Sequence, residues 1–461
     1  MVMEEKNRQI SVAVWQAIAM ARTTTFWIGL FAACYLAVLP MAGTIALRNV
    51  ALLALLLCLV WHFRKTRPSL QRPLPLLLWV IYLLAFPFIA DSSVMALESL
   101  QGQWGRGVLA MLAGAGVAAI YYSKNKGAAF FLGLVSAVPI LVHLSLFALK
   151  TWEISSIPWG YWGRETHHAD LGYAAGQSVV LLVAAIVAGH RKTMRPLAFA
   201  LIIACLLSTA LAHSRAGLGF SLIAGLLVVG ASFAARATYW QKHIVISLAG
   251  VVFVGALVLA MAVRHDVRWR TMSSELAAGF YGNAIQLQCE GTASIEPQII
   301  AKYGEQSQRI IASVQYGDGS RVVVLRASIA LALKHPWGSD GSRQAFQKLL
   351  RQECANPVIS MAHTHDGWID TLLALGWGGA ILYLWLLLFF MKQGFTRLHR
   401  ESGLNEWDLV LVALSAFWIL RGFTDSVFRD HMLEMQGFVL AYASIALKMQ
   451  TRSASPSGTT Q

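Results

Sequence analysis

IALRNVALLALLLCLVWHF, residues 45–63, decides the fold. Its nineteen residues carry one formal charge, Arg48, close to the start. About 20 apolar residues in a helix cross the ~30 Å hydrocarbon core of a bilayer. Only helices and closed barrels satisfy their backbone polar groups there. A barrel strand would alternate apolar and polar residues over about ten positions, and this run is continuous. Arg64, Lys65, Arg67 and Arg72 follow it.

Outward from this run, the same pattern recurs along the chain. Twelve spans are expected, at 25–42, 45–63, 74–91, 108–122, 128–149, 170–189, 196–212, 216–235, 244–263, 367–391, 406–421 and 432–448. Residues 9–22 are read as a helix lying on the membrane surface, and the tail from Ser453 to Gln461 as disordered. Of the 461 residues, 57% are hydrophobic and 13% charged, whereas soluble domains carry about 25% charge. The prediction is an all-α membrane protein. It divides into helices within 1–263, an extramembrane subdomain at 264–366, helices within 367–448 and a tail at 449–461.

The formal charge of +14 would suggest nucleic acid in a soluble chain. Here its distribution points to bilayer lipids instead, and no nucleic-acid partner is expected. With the N-terminus in the cytoplasm, nineteen Lys and Arg fall in cytoplasmic segments and seven in the short outer loops; the rest lie in 264–366. Cytoplasmic loops carry such an excess, so both termini are placed inside. The opening Glu4, Glu5, Lys6 and Arg8 do not resemble a cleavable signal.

Residues 264–366 then lie outside. Arg321 to Lys334 reads as a helix stopped before Pro336. Trp337-Gly338-Ser339-Asp340-Gly341 reads as a turn, and Ser342 to Cys354 as a second helix capped by Ser342. Cys34, Cys58 and Cys205 fall inside spans, where a thiol behaves as a small apolar group. Cys289 and Cys354 share the oxidising side, so a Cys289–Cys354 disulfide is expected; two free thiols are the alternative.

The chain carries no Walker loop, no dinucleotide fingerprint, no His-Glu-x-x-His, no Cys-x-x-Cys and no Asp-x-Asp. No metal and no cofactor are expected. Three outer arginines oppose the insertion bias: Arg106 after Gln103-Trp104-Gly105, Arg164 after Trp162-Gly163, and Arg215 in the hairpin His213-Ser214-Arg215-Ala216-Gly217. Arginine matches phosphate oxygens in a bidentate way. A single such residue is as well explained by snorkelling to headgroups or by an ion pair. Arg164 and Arg215 together favour a phosphate site, since ionisable residues near the membrane are functional by default.

The second constellation is His363-Thr364-His365-Asp366-Gly367-Trp368, followed by Gly376-Trp377-Gly378-Gly379. Read as one helix, it puts His365 three turns from Gly376 on one face. Gly376 and Gly379 would then admit a neighbouring helix. A histidine near the positive end of the helix dipole would stay neutral, as a general base must. The alternative is a histidine bonded to headgroups or to a loop carbonyl.

The order of an outer arginine hairpin, a long outer loop, and His365-Asp366 nine residues before Gly376-x-x-Gly379 resembles the O-antigen ligase and O-antigen polymerase superfamily. The stretch from Gly319-Ser320-Arg321 to His335-Pro336-Trp337-Gly338 is similar to that family's loop helix; Leu325 replaces a frequent aromatic. The position after the histidine is usually Asn, Ser or Gln, and here it is Asp366.

The resemblance implies a GT-C-like, metal-independent glycosyltransferase of the bacterial inner membrane. It would move a glycan from undecaprenyl diphosphate to a sugar of the lipid A–core at the periplasmic face. His365 would be the base, and Arg215 and Arg321 would stabilise the diphosphate. Arg164, Arg106 and Asp366 would contribute to substrate binding. A carboxylate at 366 would raise and orient the imidazole. The closest alternative is a polymerase acting on lipid-linked repeats; from a different class, a secondary transporter also has about twelve spans.

Overall fold

The computed structural model describes residues 24–64, 73–121, 127–164, 166–189, 192–234, 242–265, 268–359, 361, 363–398 and 405–454. The surface-helix expectation at 9–22 lies outside these residues, as does most of the expected tail. Ser453 and Ala454 end the last helix.

The described residues are all-helical; the one extended pairing is a bridge between Met41 and Thr166. The order begins with α1 (Thr24–Val38), α2 (Ile45–Phe63), α3 (Leu74–Ala85), α4 (Ser93–Ser99) and α5 (Gly105–Tyr121). It continues with α6 (Ala128–Ser136), α7 (Val138–Ile154), α8 (His168–Val187), α9 (Arg195–Leu211), α10 (Arg215–Ala234) and α11 (Lys242–His265). Then come α12 (Arg268–Ala278), α13 (Ala284–Glu290), α14 (Glu296–Tyr303), α15 (Ser307–Tyr316), α16 (Asp318–Lys334) and α17 (Ala345–Glu353). The last three are α18 (Gly367–Leu398), α19 (Glu406–Gly422) and α20 (Asp430–Ala454).

Six stretches among the described residues are long and apolar enough to cross a membrane: Ile45–Phe63, Ser93–Tyr121, Ala128–Ile154, His168–Val187, Arg215–Phe233 and Gly367–Leu398. Thr24–Val38, Leu74–Phe88 and Arg195–Leu211 are shorter apolar helices. Their outward faces are greasy. On α2, Val50, Leu53, Leu57 and Val60 are each more than half exposed, a continuous apolar face that water does not tolerate on a monomer. This is a helical membrane protein.

One expected span, 128–149, is composite: Ala137, two residues before Pro139, separates α6 from α7, because proline lacks the amide that would continue the ladder. Ahead of the expected span 108–122, a π-helical turn, Leu100–Trp104, joins α4 to α5.

The bundle packs around α8, which is buried from Leu171 to Val187 against α6, α9, α10 and α19. Gly172 and Gly217 meet at the ends of α8 and α10 that carry His168 and Arg215. A Cβ on Gly172 would lie 2.6 Å from the Gly217 Cα. The absence of side chains lets the two backbones touch, and this contact fixes Arg215 beside the segment entering α8.

α18 is not one straight helix, contrary to the expectation of a shared face from His365 to Gly376. Gly376 has φ 72°, and the helix breaks there. A break strands backbone groups that apolar surroundings cannot satisfy. The turn after α16 satisfies them. Trp377 N–H donates to the Pro336 carbonyl (3.0 Å), and Gly341 N–H donates to the Ala374 carbonyl (3.0 Å). The Tyr82 hydroxyl donates to the Leu375 carbonyl (2.5 Å). Gly376 is therefore a joint rather than a packing notch. Gly379 does pack closely: a Cβ there would lie 3.0 Å from the Tyr82 ring.

A Cβ on Gly376 would lie 2.4 Å from the Trp337 carbonyl carbon. Gly376→Ala thus adds a steric clash to a positive-φ, extended backbone (φ 72°, ψ −179°) that is essentially glycine-only and costs roughly 1–3 kcal/mol for another residue. We expect a clear drop in the thermal midpoint in detergent, and no comparable drop for Gly219→Ala, where a Cβ meets nothing within 4 Å.

Helices α12 to α17, within the expected loop 264–366, pack around α16, which contacts α12, α13, α15, α17 and α18. The Arg326 guanidinium donates to the carbonyls of Gly279, Tyr281 and Gly282. Cys289 and Cys354 are bonded, with Cα atoms 5.8 Å apart, tying α13 to the end of α17. The second loop helix starts at Ala345, three residues beyond the expected cap at Ser342. Ser342 is held instead in a turn, its N–H donating to Asp340 Oδ1.

Candidate active site

The site assembles where α10, α16, α18 and the α19–α20 turn meet. Asp318, in the first turn of α16, is its organising charge. Arg215 Nη2 donates to both carboxylate oxygens of Asp318, at 2.9 and 2.7 Å. Arg321, one turn further along α16, places Nη1 4.0 Å from Asp318 Oδ1. The Arg215–Asp318 pair is nearly buried, whereas the Arg321 side chain is 46% exposed. One carboxylate thus gathers both expected arginines and leaves Arg321 facing outward. Asp318 was not among the sequence candidates. The available signal was its position three residues before Arg321, an i,i+3 pair on a helix.

His365 lies before α18, not in its first turn. Asp366 is the N-cap: its Oδ1 accepts from Ile369 N–H at 2.9 Å, and its own N–H donates to Thr364 Oγ1. His365 has φ 57°, a left-handed conformation rare outside glycine. Non-glycine residues held there cluster at functional sites. The imidazole packs edge-on against His363, with ring centroids 4.2 Å apart. His363 Nδ1 and Ser426 Oγ share a hydrogen bond of 3.1 Å.

The electrostatics correct the expectation for Asp366. Burial, then His363 and Arg321, push the His365 imidazole down to about 4; Asp425 and Asp370 pull weakly the other way. Burial likewise lowers His363 to about 4, with Arg429 next in weight. The Asp366 carboxyl is pushed up to about 6 by burial and serves as a helix cap. The carboxylates that act on His365 are therefore Asp425 and Asp370. Desolvation is the chief cause of the neutral ring.

Asp425 is held ionised. Burial alone would raise it, but Arg421, the Tyr173 hydroxyl and His365 outweigh that and hold it at about 2. Arg421 Nη2 bonds Asp425 Oδ2 at 3.0 Å, and the guanidinium lies over the rings of Tyr173 and Phe220. Arg421 is one of the seven Lys and Arg of the expected short outer loops and was not a site candidate. Its partner four residues on was legible as an i,i+4 pair.

The remaining candidates lie elsewhere. Arg164 is exposed in the segment that leads to His167, and His167 acts electrostatically on His363. Arg106, at the start of α5, places Nε 3.6 Å from Glu434 Oε1 and bonds Asn49 Oδ1. Glu434 also accepts the Tyr35 hydroxyl at 2.6 Å. Arg106 thus belongs to a network on α1, α2 and α20. Arg215 and Arg321 share Asp318, Arg321 acts electrostatically on His365, and Arg106 stays in an ion pair.

The chemistry of this constellation is a neutral imidazole beside a guanidinium offered to solvent. An electrostatic test follows. The His365 ring should titrate near pH 4 by NMR of histidine-labelled protein, well below an ordinary imidazole near 6.5. Between these two pH values the unfolded chain binds a proton that the native site refuses. This contribution to stability is therefore lost as pH falls from about 6.5 to about 4. A midpoint near 6.5 would contradict the buried geometry.

No protein-family model and no curated protein sequence matches this chain.

Proposed function

We propose that the protein is an O-antigen ligase: an inverting glycosyltransferase that moves a glycan from undecaprenyl diphosphate to a sugar hydroxyl of the lipid A–core. The observation that carries this reading is the convergence of Arg215 and Arg321 on Asp318, with Arg321 acting electrostatically on both rings of the His363–His365 pair. In this reading the chain crosses the bacterial inner membrane twelve times in a GT-C-like fold, with both termini cytoplasmic and the site at the periplasmic face.

The acceptor hydroxyl attacks the anomeric carbon opposite the diphosphate. Its proton passes to the neutral His365 imidazole. The bond from the anomeric carbon to the diphosphate oxygen breaks, and the electron pair leaves with the lipid diphosphate. Arg321, outward-facing, meets the growing charge; such donors contribute most where charge develops in the transition state. Arg215, locked by Asp318, holds the helix start in place and adds its positive field. Asp425, ionised near His365, stabilises the imidazolium once it forms. Both substrates are lipid-anchored and enter laterally, so no large aqueous pocket is required.

The test is reconstitution in proteoliposomes with a lipid-diphosphate glycan and lipid A–core. Product on the lipid A–core supports the ligase. Elongation of lipid-linked repeats with no transfer to the core would replace it with a polymerase. Substrate uptake with neither product would point to a transporter.

A further inference from the structure

Between the exposed Arg321 and Lys334, α16 carries an exposed apolar stretch. Ile329 is 42% exposed and Leu333 66%, and Trp337 in the turn beyond is 70% exposed. Four-residue spacing puts Ile329 and Leu333 on one side of the helix, and Trp337 follows three residues after its end at Lys334. The other sides are covered by α12, α13, α15 and α17.

Both ends of α16 are tied to places of defined depth. Its start is fixed by Asp318 to Arg215, the first residue of the bilayer-length α10. Its end is grafted onto the break in α18, where Pro336 accepts from Trp377. Residues 377–391, the rest of the expected span, rise roughly 22 Å of the ~30 Å hydrocarbon core. The break therefore lies in the outer part of the membrane, and the start of α10 lies toward the same side. A helix anchored at both ends at that level runs along the surface.

The stripe also continues into the bundle. Trp377, Ile381 and Trp385 are exposed on α18 directly beyond the graft. Tryptophan concentrates at the interface between lipid and water.

We propose that α16 is an interfacial helix whose Ile329–Leu333–Trp337 face is immersed in the acyl chains of the adjacent leaflet. The occupant of the face is bulk membrane lipid. This burial sets the height of Arg321, one turn into the same helix, at the level of lipid phosphates. The inference rests on the chain spanning a membrane and is independent of glycosyl transfer.

The test uses environment-sensitive labels on Ile329→Cys and Leu333→Cys, with Glu305→Cys as reference. Cys34, Cys58 and Cys205 are replaced by Ala, and the Cys289–Cys354 bridge is kept. In nanodiscs containing nitroxide lipids, emission at positions 329 and 333 should be quenched several-fold more than at 305, and iodide in the water should quench it less. If one variant fails to fold, Trp337→Cys replaces it. Equal quenching at all positions, or iodide access at 329 and 333 matching that at 305, would overturn the proposal. Loss of transfer activity with the labels still in lipid would count against the ligase reading alone.

Discussion

His365→Asn should abolish measurable glycan transfer while leaving the fold intact. The expected loss is on the order of 10²–10⁴ in rate, the usual contribution of a positioned general base. Asparagine suits this test because it tolerates left-handed backbone, and His365 has φ 57°. The substitution therefore removes the base without adding strain. Thermal melting in detergent should be within a few degrees of wild type, and lipid-diphosphate binding should persist through Arg321. Near-normal transfer by this variant would remove His365 from the mechanism. A His363→Asn variant should fall between the two, since His363 touches His365 but bonds Ser426.

Asp318→Ala should be the most destabilising single change in the site. It strips the partner from Arg215, whose guanidinium lies in a nearly buried pair. Removing one side of such a pair typically costs roughly 3–5 kcal/mol, whereas replacing both sides by apolar residues is often neutral. The double variant Arg215→Met with Asp318→Leu should therefore recover much of the lost thermal stability. It should nonetheless remain poor in transfer, because the field of Arg215 is gone and Arg321 has lost its neighbour. Recovery of activity along with stability would show that the pair is structural only. Arg321→Ala gives the complement: little change in melting, since its ion pair is half exposed and of small worth, but a large fall in turnover.

The helices were largely legible in the sequence because long apolar runs bounded by Lys, Arg, Pro and Gly leave few alternatives. α2 runs from Ile45 to Phe63, with the expected bounds. Misreadings arose where one composition serves two geometries. Gly376 and Gly379 suit a close helix contact, yet Gly376 carries a positive φ that no periodicity reveals. Asp366 beside a histidine suggested a partner for the ring, but Asp just before an apolar run is equally a cap, and it is the cap that forms. The Arg215–Asp318 pair spans 103 positions. Nothing local announces such a partner; tertiary folding alone brings it about. Burial of His365, which controls its protonation, likewise depends on elements far from it in sequence.

The break in α18 also has a temporal meaning. A chain emerging from the ribosome presents Arg215 first, then Arg321, then His365, and Asp425 last. The carbonyl of Pro336 has no amide to receive until Trp377 has been made and inserted. The loop subdomain must wait, incomplete, at the bilayer edge for a later segment to seat it. On the proposed reading, a half-made polypeptide would be inert toward any lipid diphosphate it meets, and competence would come only once its C-terminal helices had entered the membrane.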